Sequence, residues 1–484
     1  MKRIFSSPIL ALAAGACLRL FFVLKFPGES GDAAMYEQLA TNWLTLGKYA
    51  MNINGQPTPV DLRMPGYPAF LALVYALSGR TGVNARLFVM LAQVFVDLAS
   101  CLLIACLAAL LLSLCDTSAK PKRAFLIALW LAALCPFTAN YVSVPLTEVC
   151  AMFFTAFAML ILVIVITLAG PRAATIRNAL PMADKSYWPL AALAGLTIGF
   201  GTLFRPEAPL FLITSFACLA YFLLRRREFK KLAFTLAVMG LGFALPLVPW
   251  TLRNARTLHE FQPIAPKDLT LPGEVAPLGF MAWERTWLYR FRDCYLVSWK
   301  LNSEAISLDD IPPNAFDSAE EKARVAALLE KYNDDSNWTA EEDSAFAQLA
   351  RERTTRHPLR TYLWIPLRRA VRIWLTPRIE LLPVSGNVFP LAYMREHDPV
   401  DQETTILFFF LNIAYVALAL VGLYKLSRHR AARPALAVLL LYILVRTAFL
   451  TTLETPEPRY VLVCFPAVIA FAAFSFLRLP NPQP

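Results

Sequence analysis

Two short polar motifs, Gly31-Asp32-Ala33-Ala34-Met35-Tyr36 and Arg63-Met64-Pro65-Gly66-Tyr67-Pro68, follow the first apolar segment of the chain. They place an aspartate, an arginine and two tyrosines directly after a stretch that is long enough to cross a bilayer. Charged side chains near hydrocarbon are costly unless they pair or bind a ligand, so they mark candidate sites. These motifs are therefore the starting point for both the fold and the site.

The composition is typical of a helical membrane protein. The 484 residues include 57% hydrophobic and 17% charged side chains, and the mean hydropathy is +0.50; soluble domains are about half apolar and a quarter charged. Repeated apolar runs of about 20 residues predict bilayer-spanning helices. Much of the net charge of +11 lies in short loops, where basic residues set orientation, so nucleic acid is not expected as a partner. The nine cysteines imply no disulfide framework.

The apolar runs predict an all-α polytopic protein with ten spans and both termini in the cytoplasm. Lys2 and Arg3 precede the first span, which we interpret as uncleaved rather than as a signal peptide. The basic clusters at 120–123, 172–185, 225–231 and 428–433 then fall on one side, provided that the short run 66–78 is a juxtamembrane or re-entrant helix. The predicted spans are 8–26, 84–114, 124–142, 146–169, 188–204, 207–224, 232–251, 405–426, 434–453 and 460–478.

These spans divide the chain into three parts. Residues 1–252 form an N-terminal transmembrane module, and its first external loop, 27–83, carries the two polar motifs and juxtamembrane helices. Residues 253–404 form an external, mostly helical domain. Residues 405–484 form the C-terminal transmembrane helices.

Local patterns predict helices outside the spans. Ser318 and Thr339 each stand three residues before a glutamate in the capping-box pattern, which predicts that a helix begins after each of them. Apolar residues recur at helical spacing within 36–44 and 358–377, which is typical of amphipathic helices that lie on a membrane surface.

The external ends of the spans collect the candidate site residues. Asp32 is either an N-cap of the following helix or a carboxylate that accepts a proton from an attacking hydroxyl. Arg63 is either an interfacial side chain that reaches for headgroups or a phosphate ligand, because its planar guanidinium matches phosphate oxygens. The remaining candidates leave the same choice between a structural and a ligand-binding role, and they are Tyr36, Tyr67, Glu148, Arg205, Arg253, Asn254, Arg459 and Tyr460.

Three charged residues lie inside predicted spans. Arg19, Asp97 and Arg446 should each face the interior of the helix bundle, where Asp97 is a candidate partner for the arginines. No spacing of His, Cys and carboxylate residues is typical of a zinc site. A divalent cation such as Mg²⁺ or Mn²⁺, held by Asp32 and a second carboxylate, stays open as a cofactor.

Six features occur in an order that resembles a known family. They are Asp32-x-x-x-Tyr36, Arg63-x-Pro-Gly-Tyr-Pro, Glu148 at the start of a span, Arg205-Pro206, Pro249-Trp250-x-x-Arg253-Asn254 and Pro458-Arg459-Tyr460. Together they look like the GT-C class of membrane glycosyltransferases, and within it the bacterial group similar to protein mannosyltransferases and the lipid A aminoarabinose transferase. The similarity covers roughly residues 1–260 and 400–478. Many relatives have a second acidic residue where this chain has Ala33, and some have Lys at the position of Arg63.

The resemblance implies a GT-C-like helix bundle that carries an inverting glycosyltransferase in the bacterial inner membrane. Such an enzyme takes a hexose or pentose from a polyprenyl phosphate, such as undecaprenyl phosphate, at the external face. The acceptor would be a hydroxyl group of a glycolipid such as lipopolysaccharide, of a polysaccharide or of a protein. Asp32 would be the catalytic base, and the other candidates would bind substrate.

Two other functions stay open. One is a transporter or flippase of lipid-linked sugars, although the sequence has no inverted repeat and no paired broken spans. The other is an enzyme of the O-antigen ligase or polymerase type. The pairing of the two opening motifs argues against this second alternative.

Overall fold

The computed structural model describes residues 7–29, 31–115, 120–170, 187–266, 270 and 274–480. The described chain forms two compact units. The first unit comprises Met1–Pro266, Pro377–Ile443 and Leu462–Pro484, and the second comprises Lys267–Thr376 and Leu444–Val461. Five basic residues that helped to orient the predicted spans lie outside the described residues, and they are Lys2, Arg3, Arg172, Arg177 and Lys185.

The boundaries of the units differ from the predicted division at 253–404. Segments 253–266 and 377–404 belong to the first unit, and segment 444–461 belongs to the second. Two helices explain part of the difference, because one runs through Val248–Thr257 and another through Pro399–Ser427. The external location of the second unit stays a prediction.

Helices make up nearly all of the regular structure in the described ranges. In chain order the α-helices are α1 (Pro8–Lys25), α2 (Gly31–Leu46), α3 (Gly66–Ser78), α4 (Arg86–Cys115), α5 (Lys122–Ala133), α6 (Pro136–Ala139), α7 (Glu148–Ala169), α8 (Trp188–Phe204), α9 (Pro209–Leu224), α10 (Phe229–Ala244), α11 (Val248–Thr257), α12 (Leu278–Arg285), α13 (Phe291–Leu296), α14 (Ala319–Asp335), α15 (Ala340–Arg356), α16 (Ile365–Leu375), α17 (Leu391–His397), α18 (Pro399–Ser427), α19 (Arg433–Thr451) and α20 (Phe465–Ala473). Two strands, β1 (Ala50–Ile53) and β2 (Gln56–Pro59), pair as an antiparallel hairpin. Its turn residues Asn54 and Gly55 have φ of 51° and 77°, as a two-residue Asn-Gly hairpin turn requires.

Within the described residues, seven helical segments are long and apolar enough to cross a membrane. They are Pro8–Lys25, Gly82–Cys115, Glu148–Ala169, Phe229–Thr257, Pro399–Ser427, Arg433–Thr451 and Pro458–Phe476. The pair Lys122–Ala133 and Pro136–Ser143, bent by 53°, makes eight if it is one span. The prediction of ten spans is not confirmed, because α8 and α9 have only 17 and 16 residues and rise about 24–26 Å against about 30 Å of hydrocarbon.

Two predictions for the first external loop are confirmed as helices. Helix α2 covers the amphipathic stretch, and α3 has the bounds predicted for the short apolar run. The position of α3 relative to the membrane stays a prediction.

A buried ion pair joins α1 to α4 and stabilises the bend between α5 and α6. Arg19 Nη2 lies 2.5 Å from Asp97 Oδ2, so the predicted partner of Arg19 is confirmed. The same guanidinium donates to the carbonyl oxygens of Ala133 at 2.7 Å and Ala132 at 3.4 Å. Pro136 lacks the N–H that would continue α5, and Arg19 supplies donors to carbonyls at that break.

Helices α8 and α10 approach each other closely through glycine. A Cβ atom on Gly195 would lie 2.0 Å from the carbonyl oxygen of Met239, and one on Gly199 would lie 2.3 Å from that of Phe243. Gly242 gives the matching gap on α10. Small residues four apart let helix backbones touch, which drives packing in membranes where apolar burial contributes little.

The second unit has a core of aromatic side chains. Phe280, Trp283, Trp287, Trp338 and Phe346 are all buried in one cluster. Neighbouring rings meet edge to face or tilted, with Phe280 and Phe346 centroids 5.1 Å apart. Aromatic pairs at this spacing add stability beyond the area that they bury.

Both predicted capping patterns in the second unit are confirmed. The Ser318 hydroxyl accepts from the N–H of Glu321 at 3.2 Å at the start of α14. Thr339 and Glu342 form both halves of a capping box at the start of α15. These contacts satisfy N–H groups that the first turn of a helix leaves without a partner.

Two buried ionisable groups of opposite charge lie in the second unit. Arg369 donates to the carbonyl oxygens of Leu288 at 2.7 Å and Thr451 at 3.1 Å. The Glu284 carboxyl accepts from the Ser298 hydroxyl at 2.5 Å. Burial raises the pKa of Glu284 to about 8 and lowers the pKa of Arg369 to about 10.

The predicted helix within 358–377 is confirmed, as a π-helical turn followed by α16. Leu363, Leu367 and Val371 form an exposed apolar face, whereas Arg369 turns inward. The interpretation that this face lies on a membrane stays a prediction.

We expect an Arg19→Met substitution to destabilise the first unit by about 3–5 kcal/mol, since it leaves Asp97 as an uncompensated buried charge. The free energy of unfolding in detergent micelles measures the effect. Leu20→Met, on the exposed side of α1, is the control and should change little. Equal stability of the two variants would contradict the role given to the ion pair.

The raised pKa of Glu284 makes a prediction for pH dependence. The folded unit binds a proton that the unfolded chain releases, so stability falls as the pH rises from the ordinary value of 4.5 through about 8. Glu284→Gln should flatten this part of the pH profile, measured by thermal unfolding across a pH series. Glu330→Gln, an exposed site in the same unit, should leave the profile as in the unchanged protein.

Candidate active site

Asp32 and Arg63 form an ion pair in segment 27–83. Arg63 Nη2 lies 2.8 Å from Asp32 Oδ1, and the two side chains are 16% and 26% exposed. The pair is therefore partly buried but accessible. Asp32 lies in the first turn of α2, after Gly31, rather than at an N-cap. A carboxylate in this turn is stabilised by the positive end of the helix dipole.

Tyr36, one turn further along α2, is buried and close enough to two ion pairs to be affected by their charges. Burial raises the pKa of its hydroxyl to about 12, while Arg63 and Arg205 act to lower it and Asp32 and Glu148 to raise it. These four charges act on one phenol although they come from distant parts of the sequence. The Tyr36 hydroxyl stays protonated near neutral pH and can donate a hydrogen bond.

Tyr67 supports Tyr36 from the start of α3. The two rings meet edge to face with centroids 5.2 Å apart. The Tyr67 hydroxyl donates to Gln93 Oε1 at 2.7 Å, and the Gln93 amide donates to the carbonyls of Val142 and Val144 at 3.1 and 2.9 Å. Tyr67 is fully buried, so its role in the structure is to hold α3 against α4 and to orient Tyr36.

Glu148 and Arg205 form the second ion pair. Arg205 Nη2 lies 2.6 Å from Glu148 Oε1, and Arg205 Nη1 lies 3.7 Å from Glu207 Oε1. Glu148 begins α7 and Arg205 follows the last residue of α8. The positive end of the α7 dipole favours the Glu148 carboxylate, and the negative end of the α8 dipole favours the Arg205 guanidinium. Arg205 therefore has a carboxylate partner in the chain before it and another two residues after it.

Gly66 brings α3 against the end of α8. A Cβ atom at this position would lie 2.6 Å from the carbonyl oxygen of Leu203 and 2.8 Å from the Phe204 ring. Arg63 and Arg205 flank this contact in sequence. The glycine of the second motif is therefore required by close backbone approach, and it brings the two arginine-bearing segments together.

Arg253, on α11, holds segment 27–83 in place. Its guanidinium donates to the carbonyl oxygens of Tyr49 at 2.5 Å, Val60 at 2.8 Å and the Asn254 side chain at 2.8 Å. The Tyr49 hydroxyl in turn donates to the carbonyl of Arg63 at 2.8 Å. These contacts give Arg253 and Asn254 a positioning role, and the predicted binding of substrate by them stays a prediction.

Ion pairs of Arg86 form a clamp on α2 that was not predicted from the sequence. Arg86 donates to both carboxylate oxygens of Glu37, at 2.6 and 3.0 Å, and to Glu29 at 2.9 Å. This clamp joins the helix that carries Asp32 to α4. Glu37 directly follows Tyr36, but no spacing in the sequence connects it to a residue 49 positions later.

Segment 378–382 also reaches this region of the first unit and was missed. Leu381 packs against the cluster that contains Tyr36 and Tyr67. The Tyr141 hydroxyl donates to Glu380 Oε1 at 2.7 Å. No sequence motif marks this segment, because contacts across 239 positions depend on the fold alone.

A cavity of about 910 Å³ lies alongside the second motif. Pro65 and Gly66 form part of its wall, helices α8 and α11 and the turn 245–247 contribute apolar side chains, and Lys48 and Arg253 add positive charge. Its volume and mixed lining are those of a ligand site.

Arg459 and Tyr460 belong to the second unit, where both contact Glu457. Arg459 Nε and the Tyr460 hydroxyl each donate to this carboxylate. Arg446 donates from Nε to the carbonyl oxygen of Tyr460 at 3.0 Å. Substrate binding by Arg459 and Tyr460 stays a prediction.

The described residues contain no group of three or more His, Cys, Asp or Glu side chains that could hold a metal ion. Asp32 and Glu148 each lie in an ion pair with an arginine. A divalent cation held by Asp32 and a second carboxylate stays a prediction.

No protein-family model matches the sequence, and no curated protein matches it. Among solved structures, the apo oligosaccharyltransferase of Archaeoglobus fulgidus is similar, with a TM-score of 0.51 and 14% identity over 96% of this chain. The chain has a GT-C-like fold. It spans about half of that oligosaccharyltransferase, which is covered over 50% of its length.

Two further structures were compared with this GT-C-like fold. AglB of Archaeoglobus fulgidus, in complex with an inhibitory peptide and a dolichol-phosphate, has a TM-score of 0.47 and 14% identity, covering 96% of this chain and 50% of AglB. ArnT of Cupriavidus metallidurans, bound to undecaprenyl phosphate, has a TM-score of 0.41 and 12% identity, covering 96% of this chain and 77% of ArnT. At these identities the likeness concerns the fold and not the activity.

We expect Gly66→Ala to lower the free energy of unfolding by about 1–3 kcal/mol, because the added methyl group would displace the backbone at Leu203. Unfolding in detergent measures the effect. Gly31→Ala is the matched control, since a Cβ atom there meets nothing within 4 Å. A Gly66→Ala variant as stable as the Gly31→Ala variant would show that α3 and α8 can separate freely.

Proposed function

We propose that the chain is an inverting glycosyltransferase that moves a sugar from a polyprenyl phosphate to an acceptor hydroxyl group. The reaction would occur at the external face of a bacterial inner membrane. One observation carries the proposal: the Asp32 carboxylate lies 2.8 Å from the Arg63 guanidinium, and a second arginine, Arg205, acts on the same tyrosine. A general base and cations for a phosphate are thus close together.

The reaction we propose is a single displacement at the anomeric carbon of the sugar. The acceptor oxygen attacks this carbon while its proton passes to Asp32. The bond between the anomeric carbon and the phosphate oxygen breaks, and its electron pair leaves with the polyprenyl phosphate. Attack opposite the leaving group inverts the anomeric configuration. In the ion pair, the Asp32 carboxylate is an acceptor only, which is the form that a general base needs.

Positive charge stabilises the leaving phosphate. Charge grows on its oxygens as the bond breaks, and donors that are already in place stabilise that charge without reorganising. Arg63 would contact both the base and the phosphate, because its guanidinium has donors on more than one edge. The Tyr36 hydroxyl, protonated near neutral pH, is a further donor.

The donor lipid would bind in the cavity beside the second motif. Its largely apolar wall from α8, the turn 245–247 and α11 suits a polyprenyl chain, and Pro65 and Gly66 in that wall belong to the motif that carries Arg63. Phe200 and Leu245 line this cavity and are also exposed on the helix surface, so hydrocarbon could enter from the side. The acceptor, whether a glycolipid, polysaccharide or protein, would approach Asp32 from outside the membrane.

We expect Asp32→Asn to lower the transfer rate by about 10²–10⁴, because general-base catalysis is lost. Arg63→Gln should lower it by about 10²–10³ through lost charge stabilisation. The assay follows labelled sugar from a synthetic polyprenyl-phosphate donor to acceptor, in detergent and without an ion gradient.

Glu260→Gln is the control, because this exposed carboxylate of the first unit lies outside the clamp on α2 and outside the proposed chemistry. Full turnover in the Asp32→Asn variant would refute the role of Asp32. Movement of the intact donor across vesicle membranes, with no transfer in detergent, would favour a transporter instead.

A further inference from the structure

A second cavity lies at the far end of α7 from the candidate active site. Helix α7 has Glu148 as its first residue and Ala169 as its last, a length of 22 residues. At 1.5 Å per residue this is about 33 Å, which is close to the thickness of bilayer hydrocarbon. The end of α7 near Ala169 therefore lies at the opposite membrane face from the Glu148–Arg205 ion pair.

This cavity, of about 230 Å³, is formed by three parts of the first unit. The last turn of α7, the last turns of α9 and the segment before α19 all contribute to it. Most of its lining is apolar, including Ile166, Phe222 and Pro434. Two charged side chains complete the lining: Arg226 and Arg430.

The two arginines come from separate basic segments. Arg226 belongs to the cluster 225–231, and Arg430 belongs to the turn 428–433. Arg226 Nη1 also lies 3.3 Å from the carbonyl oxygen of Ala169, which accepts from Lys231 at 3.2 Å as well. These contacts fix Arg226 at the rim of the cavity and satisfy the negative end of the helix dipole.

We propose that this cavity binds the phosphate of an anionic phospholipid from the leaflet that faces the basic loops. Arg226 and Arg430 contact the phosphate oxygens, and the apolar wall takes the glycerol and first acyl carbons. Basic pockets between membrane helices on the cytoplasmic side recognise lipid headgroups in this way. A free phosphate ion would gain nothing from the apolar wall, so the mixed lining favours a lipid.

Basic loops that orient a membrane protein would account for the positive charge of Arg226 and Arg430. They would not account for a cavity beside these two side chains. Positive loops attract anionic lipids in general, whereas a defined pocket predicts saturable binding at one place. The two interpretations differ when equal charge is removed from inside and outside the pocket, and this difference is the basis of the test. The proposal goes beyond glycosyl transfer and does not depend on it.

The test measures lipid binding to the full-length protein in detergent by native mass spectrometry. Phosphatidylglycerol, phosphatidylcholine and inorganic phosphate are each added to delipidated protein. We expect saturable binding of phosphatidylglycerol, and R226Q/R430Q should weaken it by about tenfold or more, because charge-assisted hydrogen bonds are lost. R226K/R430K keeps both charges and should retain part of the affinity.

The matched control is R225Q/R428Q, which removes the same charge from the same two basic segments but outside the cavity lining. It should bind phosphatidylglycerol as the unchanged protein does. Equal losses in both glutamine pairs would overturn the proposal in favour of general charge attraction. Stronger binding of inorganic phosphate than of phosphatidylglycerol, or equal binding of the two phospholipids, would also overturn it.

Discussion

A guanidinium that leaves water must find its hydrogen-bond acceptors within the protein, and much of this fold depends on that requirement. The acceptors are found where helices bend or end. Arg19 binds carbonyls at the break between α5 and α6, and Arg205 binds Glu148 where α8 ends. Arg253 binds the carbonyls of Tyr49 and Val60. Buried arginines thus stabilise the parts of the backbone that helical hydrogen bonds leave open.

Contacts of buried polar groups also hold the candidate site in place. Asp32 and Arg63 are fixed from both sides, because Glu37 is clamped to Arg86 and the carbonyl of Arg63 is held by Tyr49. In the proposed reaction, their charges would need little rearrangement on substrate binding. In a region partly shielded from water, such preorganised charges act strongly on a reaction that creates negative charge.

Local features of the fold could be predicted from sequence, whereas long-range contacts could not. The bounds of α3 and both helix caps of the second unit follow from neighbouring residues. The bend at Pro136 was missed, because a proline inside an apolar run can either interrupt a span or kink it. Apolar spacing predicted the helix within 358–377, but it could not predict that Arg369 turns inward to the carbonyls of Leu288 and Thr451.

The same distinction between local features and long-range contacts holds for the candidate site. Asp32, Arg63, Glu148 and Arg205 could be selected because charge after an apolar run is unusual, but their pairing required the fold. Tyr49 has no such signal. Its role depends on a hydroxyl group that reaches the backbone 14 positions away.

The contact between Gly66 and the carbonyl of Leu203 has a consequence for how such a chain can diverge. Side chains along both helices can exchange with others of similar volume while the packing adjusts. A hydrogen atom facing a carbonyl oxygen leaves no comparable freedom, because any larger group collides with backbone. Substitution at this position is therefore limited by the distance between Gly66 and the Leu203 carbonyl. A related sequence that loses the glycine would also need a different backbone path at the end of α8.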